Sequence, residues 1–153
     1  MLEFKTPQIE DKAWVDQCFK HLKTMNCDYT FGNMFVWNTE YSTKICRFKD
    51  FFICSWGMGK ETNFGIPVGK GDFKEAVEEV IKYAKSNDIM PRFYGVTEAY
   101  VEMLNENFPD AFQFLYDESY GDYIYEVEKM ASLKGKKYHG KRCLLYTSPS
   151  PRD

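Results

Sequence analysis

Three stretches of the chain hold residue types and spacings that could do chemistry. The first is GIPVGKGDFKEA, where Gly69, Lys70 and Gly71 stand between a strand-like run and the start of a helix. Glycines let backbone amides approach a phosphate, and the positive end of the helix dipole favours an anion. The same residues suit an ordinary glycine turn before a capped helix. That plainer reading is favoured, because short glycine motifs recur by chance. Asp72 at the cap would also repel a phosphate. The second is the pair Tyr94 and Tyr100, on a strand and the helix after it. A phenol held within hydrogen-bond reach could protonate a leaving thiolate. The chain has 11 tyrosines, however, and a ring in the core with its hydroxyl at the surface is the commoner use. Cys46 and Cys54 lie in apolar runs, and the sequence points to no histidine partner for either. Buried thiols rather than nucleophiles are expected there.

The third stretch is LKGKKYHGKR. Lys134, Lys136, Lys137, Lys141 and Arg142 bracket Tyr138 and His139. Lysine and arginine can engage phosphates, and Tyr138 could stack on a base or ring. A solvated basic linker would look the same, and the residues alone leave the two readings even. The cluster stands out because the whole chain is acidic, with a formal charge of −3. That balance argues against a generic nucleic-acid coat, and no DNA partner is expected. Hydrophobic residues make up 44% and aromatics 18%, enough for one domain with a real core. No apolar run is long enough to span a bilayer, and MLEFKTPQIEDK lacks the apolar stretch of a signal peptide. The cysteines show no metal spacing and there are two histidines, His21 and His139, so no metal site is expected. Buried free thiols fit a reducing cytoplasm.

The elements that must position these residues follow from periodicity. LEFK reads as a short strand. Asp11 can cap a helix with Trp14, Val15, Cys18, Phe19 and Leu22 on one face. Thr30 can cap a second helix through FGNMFVWN, with Phe31, Met34 and Phe35 inward. TKICRFKDFFICSW reads as a hairpin about Lys49 and Asp50, although no Gly or Asn marks the turn. NFGIPV is a further strand. Asp72, with Glu75 placed for a capping box, opens a helix whose face is Ala76, Val77, Val80, Ile81 and Ala84. RFYGV is a strand, and Thr97 caps a helix carrying Val101 and Leu104. FQFLYD and DYIYEV read as two strands about a turn at Ser119 to Gly121, and KMASL as a short helix. The order β-α-α-β-β-β-α-β-α-β-β predicts an α+β fold: a mixed, mostly antiparallel sheet flanked by helices.

That order resembles the acyl-CoA N-acyltransferase, or GNAT, fold. In that fold the junction matching Gly69 to Gly71 holds the pyrophosphate of coenzyme A, and a tyrosine near Tyr94 or Tyr100 often serves as general acid. The usual junction resembles Gln/Arg-x-x-Gly-x-Gly/Ala. Here the Gly-x-Gly spacing is kept, but Ile66 stands where Gln or Arg would. The stretch from Tyr120 to Arg142 resembles a more specific signature, the segment between the two halves of the phosphatidylglycerol lysyltransferase C-terminal domain family. Members show Gly-Lys-Lys-Tyr-His-x-Lys-Arg followed by Asn-His-Ile-Asn. The match runs through Gly135, Lys136, Lys137, Tyr138, His139, Lys141 and Arg142 and departs at Cys143. The aromatic DYTFGNMFVW segment, with Trp37, is similar to the family's N-terminal half, and the likeness covers essentially all of residues 1 to 142.

The resemblance implies tandem acyltransferase-fold repeats. Membrane-bound relatives move lysine from an aminoacyl-tRNA to a lipid glycerol hydroxyl, whose oxygen attacks the aminoacyl ester. The enzyme's task there is mainly positioning and oxyanion stabilisation. Many soluble members have unassigned substrates. A degenerate first half would fit the weak junction motif, and the second half would carry the donor site. The tail CLLYTSPSPRD, back-translated, reads as a transposase-type sequencing adapter in one frame. It is therefore expected to be non-native, with the reading frame cut after about Arg142. The expected organisation is residues 1–127 as a GNAT-like N-terminal half, 128–142 as a helix and basic linker to a missing second GNAT-like domain in cis, and 143–153 as the adapter-like tail. The expected function is the N-terminal part of an aminoacyl- or acyltransferase, inactive by itself. Aminoacyl-tRNA or acyl-CoA would be the donor, held by Lys136, Lys137, Tyr138, His139, Lys141 and Arg142. Two alternatives stay open: a single-domain acyl-CoA-dependent N-acyltransferase using Gly69, Lys70 and Gly71, and a non-catalytic binding domain with a vestigial site.

Overall fold

The computed structural model describes residues 2–20, 22, 24–118, 121 and 123–147. The chain divides into two compact units, Met1–Asp117 and Glu118–Asp153. The first is an α+β unit built on an open, mixed sheet. Its strands are β1 (Lys44–Phe48), β2 (Phe51–Trp56), β3 (Asn63–Gly65), β4 (Val68–Gly69) and β5 (Phe93–Tyr94), in the order β1-β2-β3-β5. The pairs β1–β2, β2–β3 and β2–β4 are antiparallel, while β3 and β5 run parallel. Among the described residues four α-helices belong to this unit: α1 (Lys12–Phe19), α2 (Phe31–Tyr41), α3 (Phe73–Ser86) and α4 (Glu98–Asn107).

The hairpin forms where alternation places it. Ile45 and Cys46 on β1 and Phe51, Phe52 and Ile53 on β2 are buried. The turn is made without glycine by Lys49 in the left-handed region at φ 52°. That conformation costs a non-glycine residue on the order of 1 kcal/mol, offset by the burial of the two flanking strands. NFGIPV is not one strand but two. β3 and β4 both pair with β2, and the ladder breaks at Ile66 and Pro67, because proline has no N–H to donate. The segment LEFK contributes only a single bridge, Lys5 to Ile45.

The helices follow their patterns, with caps at Thr30 and Asp72, while Thr97, expected to cap α4, makes no side-chain cap. Thr30 accepts a hydrogen bond from the Asn33 N–H at 3.3 Å, opening α2 with Phe31 inward. Asp72 accepts from the Glu75 N–H at 3.0 Å, opening α3. The Glu75 carboxylate does not complete a capping box; it pairs with the Lys49 ammonium. Phe73, Ala76, Val77, Val80 and Ala84 make the buried face of α3. Asp11 differs from expectation. It makes no side-chain cap on α1. Its buried carboxylate accepts instead from Lys5 Nζ at 2.6 Å, Trp14 Nε1 at 2.9 Å and the Gln8 N–H at 2.9 Å. Burial alone would raise its pKa; these donors and the Lys5 charge outweigh that and leave it lowered.

Two expected strands are absent. No strand forms among the described residues of FQFLYD and DYIYEV, and neither takes part in a described ladder, without which alternation alone makes no strand. The turn expected at Ser119 to Gly121 lies largely outside the described residues, as do His21 and residues 148–153. The second unit holds α5 (Val127–Ser132) and α6 (His139–Thr147), joined by a 3-10 turn at Lys136–Tyr138. The stretch read as a linker is therefore largely helical, and α6 continues through Cys143 to Thr147.

Candidate functional site

The glycine junction is shaped by packing. A Cβ on Gly69 would lie 2.1 Å from the Asp50 carbonyl oxygen and 2.8 Å from Phe51 Cα, so the β2–β4 approach requires glycine. Gly71 sits at φ 137°, a region that disfavours any other residue, with the Phe51 ring 3.2 Å from where a Cβ would be. The Lys70 N–H points to the Asp50 carbonyl at 3.4 Å. The Asp72 carboxylate occupies the N-terminus of α3 itself. Both glycines thus have a reason to be there that involves no ligand, and the helix end already holds an anion.

The tyrosine and cysteine candidates are likewise engaged. Tyr100 packs on Phe73, ring centroids 5.7 Å apart, and burial raises its phenol pKa, which makes it a weaker acid. Tyr94 meets Trp56 edge-on at 5.6 Å. Tyr29, which the sequence did not single out, donates to the Gly95 carbonyl at 2.9 Å and is also raised by burial. Burial pushes the Cys54 thiol up to about 12 and raises Cys46 too, so neither is a thiolate at neutral pH. Tyr100 and Cys54 pack against the core, while Tyr94 is 38% exposed with its ring against Trp56.

The basic segment is built differently. α5 ends at Leu133, in the left-handed region at φ 48°, whose N–H donates to the Lys129 carbonyl at 2.9 Å. The Arg142 guanidinium reaches back to the Leu133 carbonyl and, at 3.0 Å, to the Gly135 carbonyl. Arg142 thereby caps carbonyls that the end of α5 leaves without helical partners. Tyr138 is 7% exposed, so its ring is part of the packing rather than a face on which a base could stack. His139 Nε2 lies 3.5 Å from Cys143 Sγ, one turn along α6. The lysines remain. Lys5, Lys12, Lys49, Lys60, Lys82 and Lys129 each pair with a carboxylate. Among the described residues, Lys134, Lys136, Lys137 and Lys141 make no ion pair, nor do the scattered Lys20, Lys44, Lys70, Lys74 and Lys85, but only the first four lie together on one segment. Lys141 Nζ sits 4.7 Å from the Tyr125 ring centre and Lys137 Nζ 6.0 Å from that of Tyr138. A shallow cleft of about 420 Å³ opens beside Lys137, lined also by Tyr123, Tyr125, Glu126, Lys129 and Tyr138.

The family model described as "Phosphatidylglycerol lysyltransferase, C-terminal" matches residues 19–145. The chain belongs to this family. The solved crystal structure of a conserved protein of unknown function from Bacteroides thetaiotaomicron VPI-5482 superposes with a TM-score of 0.79 at 30% sequence identity. The match covers 95% of this chain and 49% of that one. The chain therefore spans about half the length of that relative. No curated protein matches it. In this lysyltransferase C-terminal family member, no helix among the described residues is long and apolar enough to cross a membrane. Lys136, Lys137 and Lys141, singled out from the sequence, lie on the 3-10 turn Lys136–Tyr138 and on α6. Sequence reasoning missed Tyr123, Tyr125, Glu126 and Lys129 as lining of the cleft beside Lys137. Their only signal was the strand-like alternation of DYIYEV, which points to a sheet and not to a cleft.

Proposed function

We propose that this chain is the N-terminal, GNAT-like part of a longer aminoacyl- or acyltransferase, and that its basic segment holds the phosphates of the donor. The observation that carries this reading is the group Lys136, Lys137 and Lys141. Their charges have no carboxylate partner among the described residues, and Lys137 lines a cleft with the exposed Tyr123 and with Tyr125 on its wall. Aminoacyl-tRNA and acyl-CoA both present phosphates, and both are cytoplasmic, where this reading places the protein. In the transfer, an acceptor oxygen or nitrogen attacks the donor's acyl carbonyl, and the donor's oxygen or sulfur leaves with the electron pair and takes up the acceptor's proton. This chain's lysines hold the donor by charge, and Arg142 keeps the end of α5 and the start of α6 in register beneath them. The groups that stabilise the developing oxyanion belong to the remainder of the longer chain, so the fragment alone binds without turnover.

The test is salt-dependent binding of a charged tRNA and of acyl-CoA to this chain. Changing Lys136, Lys137 and Lys141 together to Ala should weaken donor binding and flatten its dependence on salt. Unchanged affinity and an unchanged slope would overturn the role. Transfer by the chain alone from either donor would overturn the expected inactivity. Absence of any donor binding by the longer protein would favour the non-catalytic reading.

A further inference from the structure

The cleft beside Lys137 has a composition that phosphate contacts alone do not use. All of its lining comes from one unit, Glu118–Asp153. Tyr123, Ile124 and Tyr125 form one stretch of its wall, Glu126 and Lys129 come from the start of α5, and Lys137 comes from the 3-10 turn. The Glu126 carboxylate accepts from Lys129 Nζ at 2.7 Å, so these two charges offset each other. Lys137 has no such partner among the described residues and gives the cleft a net positive charge. Lys141 Nζ lies 4.7 Å from the Tyr125 ring centre without lining the cleft, so that ring meets a cation on one side and the cleft on another. The volume of about 420 Å³ falls within the range of about 300–1,000 Å³ of clefts that hold small ligands. Two phenol rings, an aliphatic side chain and one unbalanced ammonium suit a ligand that is part flat ring and part anion. Inorganic phosphate would use the ammonium and leave the rings without a role. A nucleotide uses both, because any base can stack on an aromatic side chain.

We propose that this cleft is a nucleotide subsite: the base lies against Tyr123 and Tyr125, and the Lys137 ammonium holds the phosphate. This deepens the donor-binding reading above and rests on it. Both donors of that reading, a charged tRNA and an acyl-CoA, carry an adenosine that bears phosphate, so one chemistry serves either source. The rings supply what the lysines lack. Charge draws in any polyanion, while a stacked base selects one that carries a nucleoside.

The experiment is titration of this chain with AMP and with ribose 5-phosphate, followed by the NMR signals of the tyrosine rings. The two ligands carry the same phosphate, so the ratio of their affinities reads the base alone. AMP should bind at least about tenfold more tightly and should shift the ring signals of Tyr123 and Tyr125. Tyr125→Leu should bring the two affinities close together, and Tyr125→Phe, which keeps the ring, should keep them apart. Lys137→Ala should weaken both ligands in step. Equal affinity of the two ligands for the unaltered chain overturns the proposal, as does binding of neither. AMP binding that leaves both tyrosine rings unshifted overturns it too. Coenzyme A and a trinucleotide ending in adenosine then compete with AMP. The tighter competitor names the source of the nucleotide, and displacement by neither overturns the proposal. Salt-dependent donor binding without any contribution from the base overturns this proposal alone. Donor binding unchanged in the triple lysine variant overturns the earlier reading, and the affinity ratio still decides whether the cleft takes a nucleotide.

Discussion

The Gly69 to Gly71 junction and the Lys134 to Arg142 segment both look, in sequence, like places to hold a phosphate, and the fold treats them in opposite ways. At the junction the glycines let β4 lie against the Asp50–Phe51 backbone, and Asp72 fills the helix N-terminus with a carboxylate. At the basic segment one cation, Arg142, is committed to carbonyl groups, and the lysines around it have no acidic partner among the described residues. A motif is therefore free for a ligand only when the fold does not already need its residues. Glycine spacing is poor evidence because packing and phosphate binding ask for the same residue. A cluster of like charges is better evidence, because the fold gains nothing by holding it together.

The sharpest break of that contrast is Gly69→Ala. The added methyl meets backbone atoms that cannot step aside, so the variant should lose about 3 kcal/mol of stability, read by denaturant unfolding. A variant of full stability that lost donor affinity would reverse the assignment of the two sites. Next is the triple lysine variant. Removing three phosphate contacts should lower affinity by more than tenfold near 50 mM salt and reduce the magnitude of the log–log salt slope by about 2. Arg142→Ala should cost about 1 kcal/mol in stability through its lost hydrogen bonds, while changing donor affinity much less than the triple variant does. Equal loss of affinity would mean that Arg142 touches the donor after all. The smallest effects separate charge from capping at the junction. Asp72→Ala should cost about 1 kcal/mol and Asp72→Asn only a few tenths, with no change in donor binding for either. A rise in affinity for Asp72→Asn would show that a phosphate does approach α3.

Much of the first unit was legible in the chain's own pattern. The inward faces of α1 and α3 and the caps Thr30 and Asp72 depend on neighbours three or four residues away. So does the hairpin about Lys49, and local spacing carries all of them. What failed was non-local. LEFK, FQFLYD and DYIYEV all alternate as strands do. LEFK keeps one bridge, and no strand forms among the described residues of the other two, because alternation specifies a face but supplies no partner. The candidate site divides the same way. Lys136, Lys137 and Lys141 were visible because they are close in sequence, whereas the burial of Tyr138 and the engagement of Arg142 depend on how α5 and α6 meet.

By itself, then, the sequence determined the α+β class, the main helices with the caps Thr30 and Asp72, and the family. The tertiary structure alone decided which of the glycines, tyrosines and cations were already in use. It also decided that NFGIPV breaks at Pro67 and that Asp11 anchors Lys5 and Trp14 rather than capping α1. The physical reason is one of range. A helix face or a cap is settled within a turn of its own residues. A backbone hydrogen bond across a sheet, a methyl-sized gap between strands or a guanidinium seated on a distant carbonyl exists only once separate segments have met.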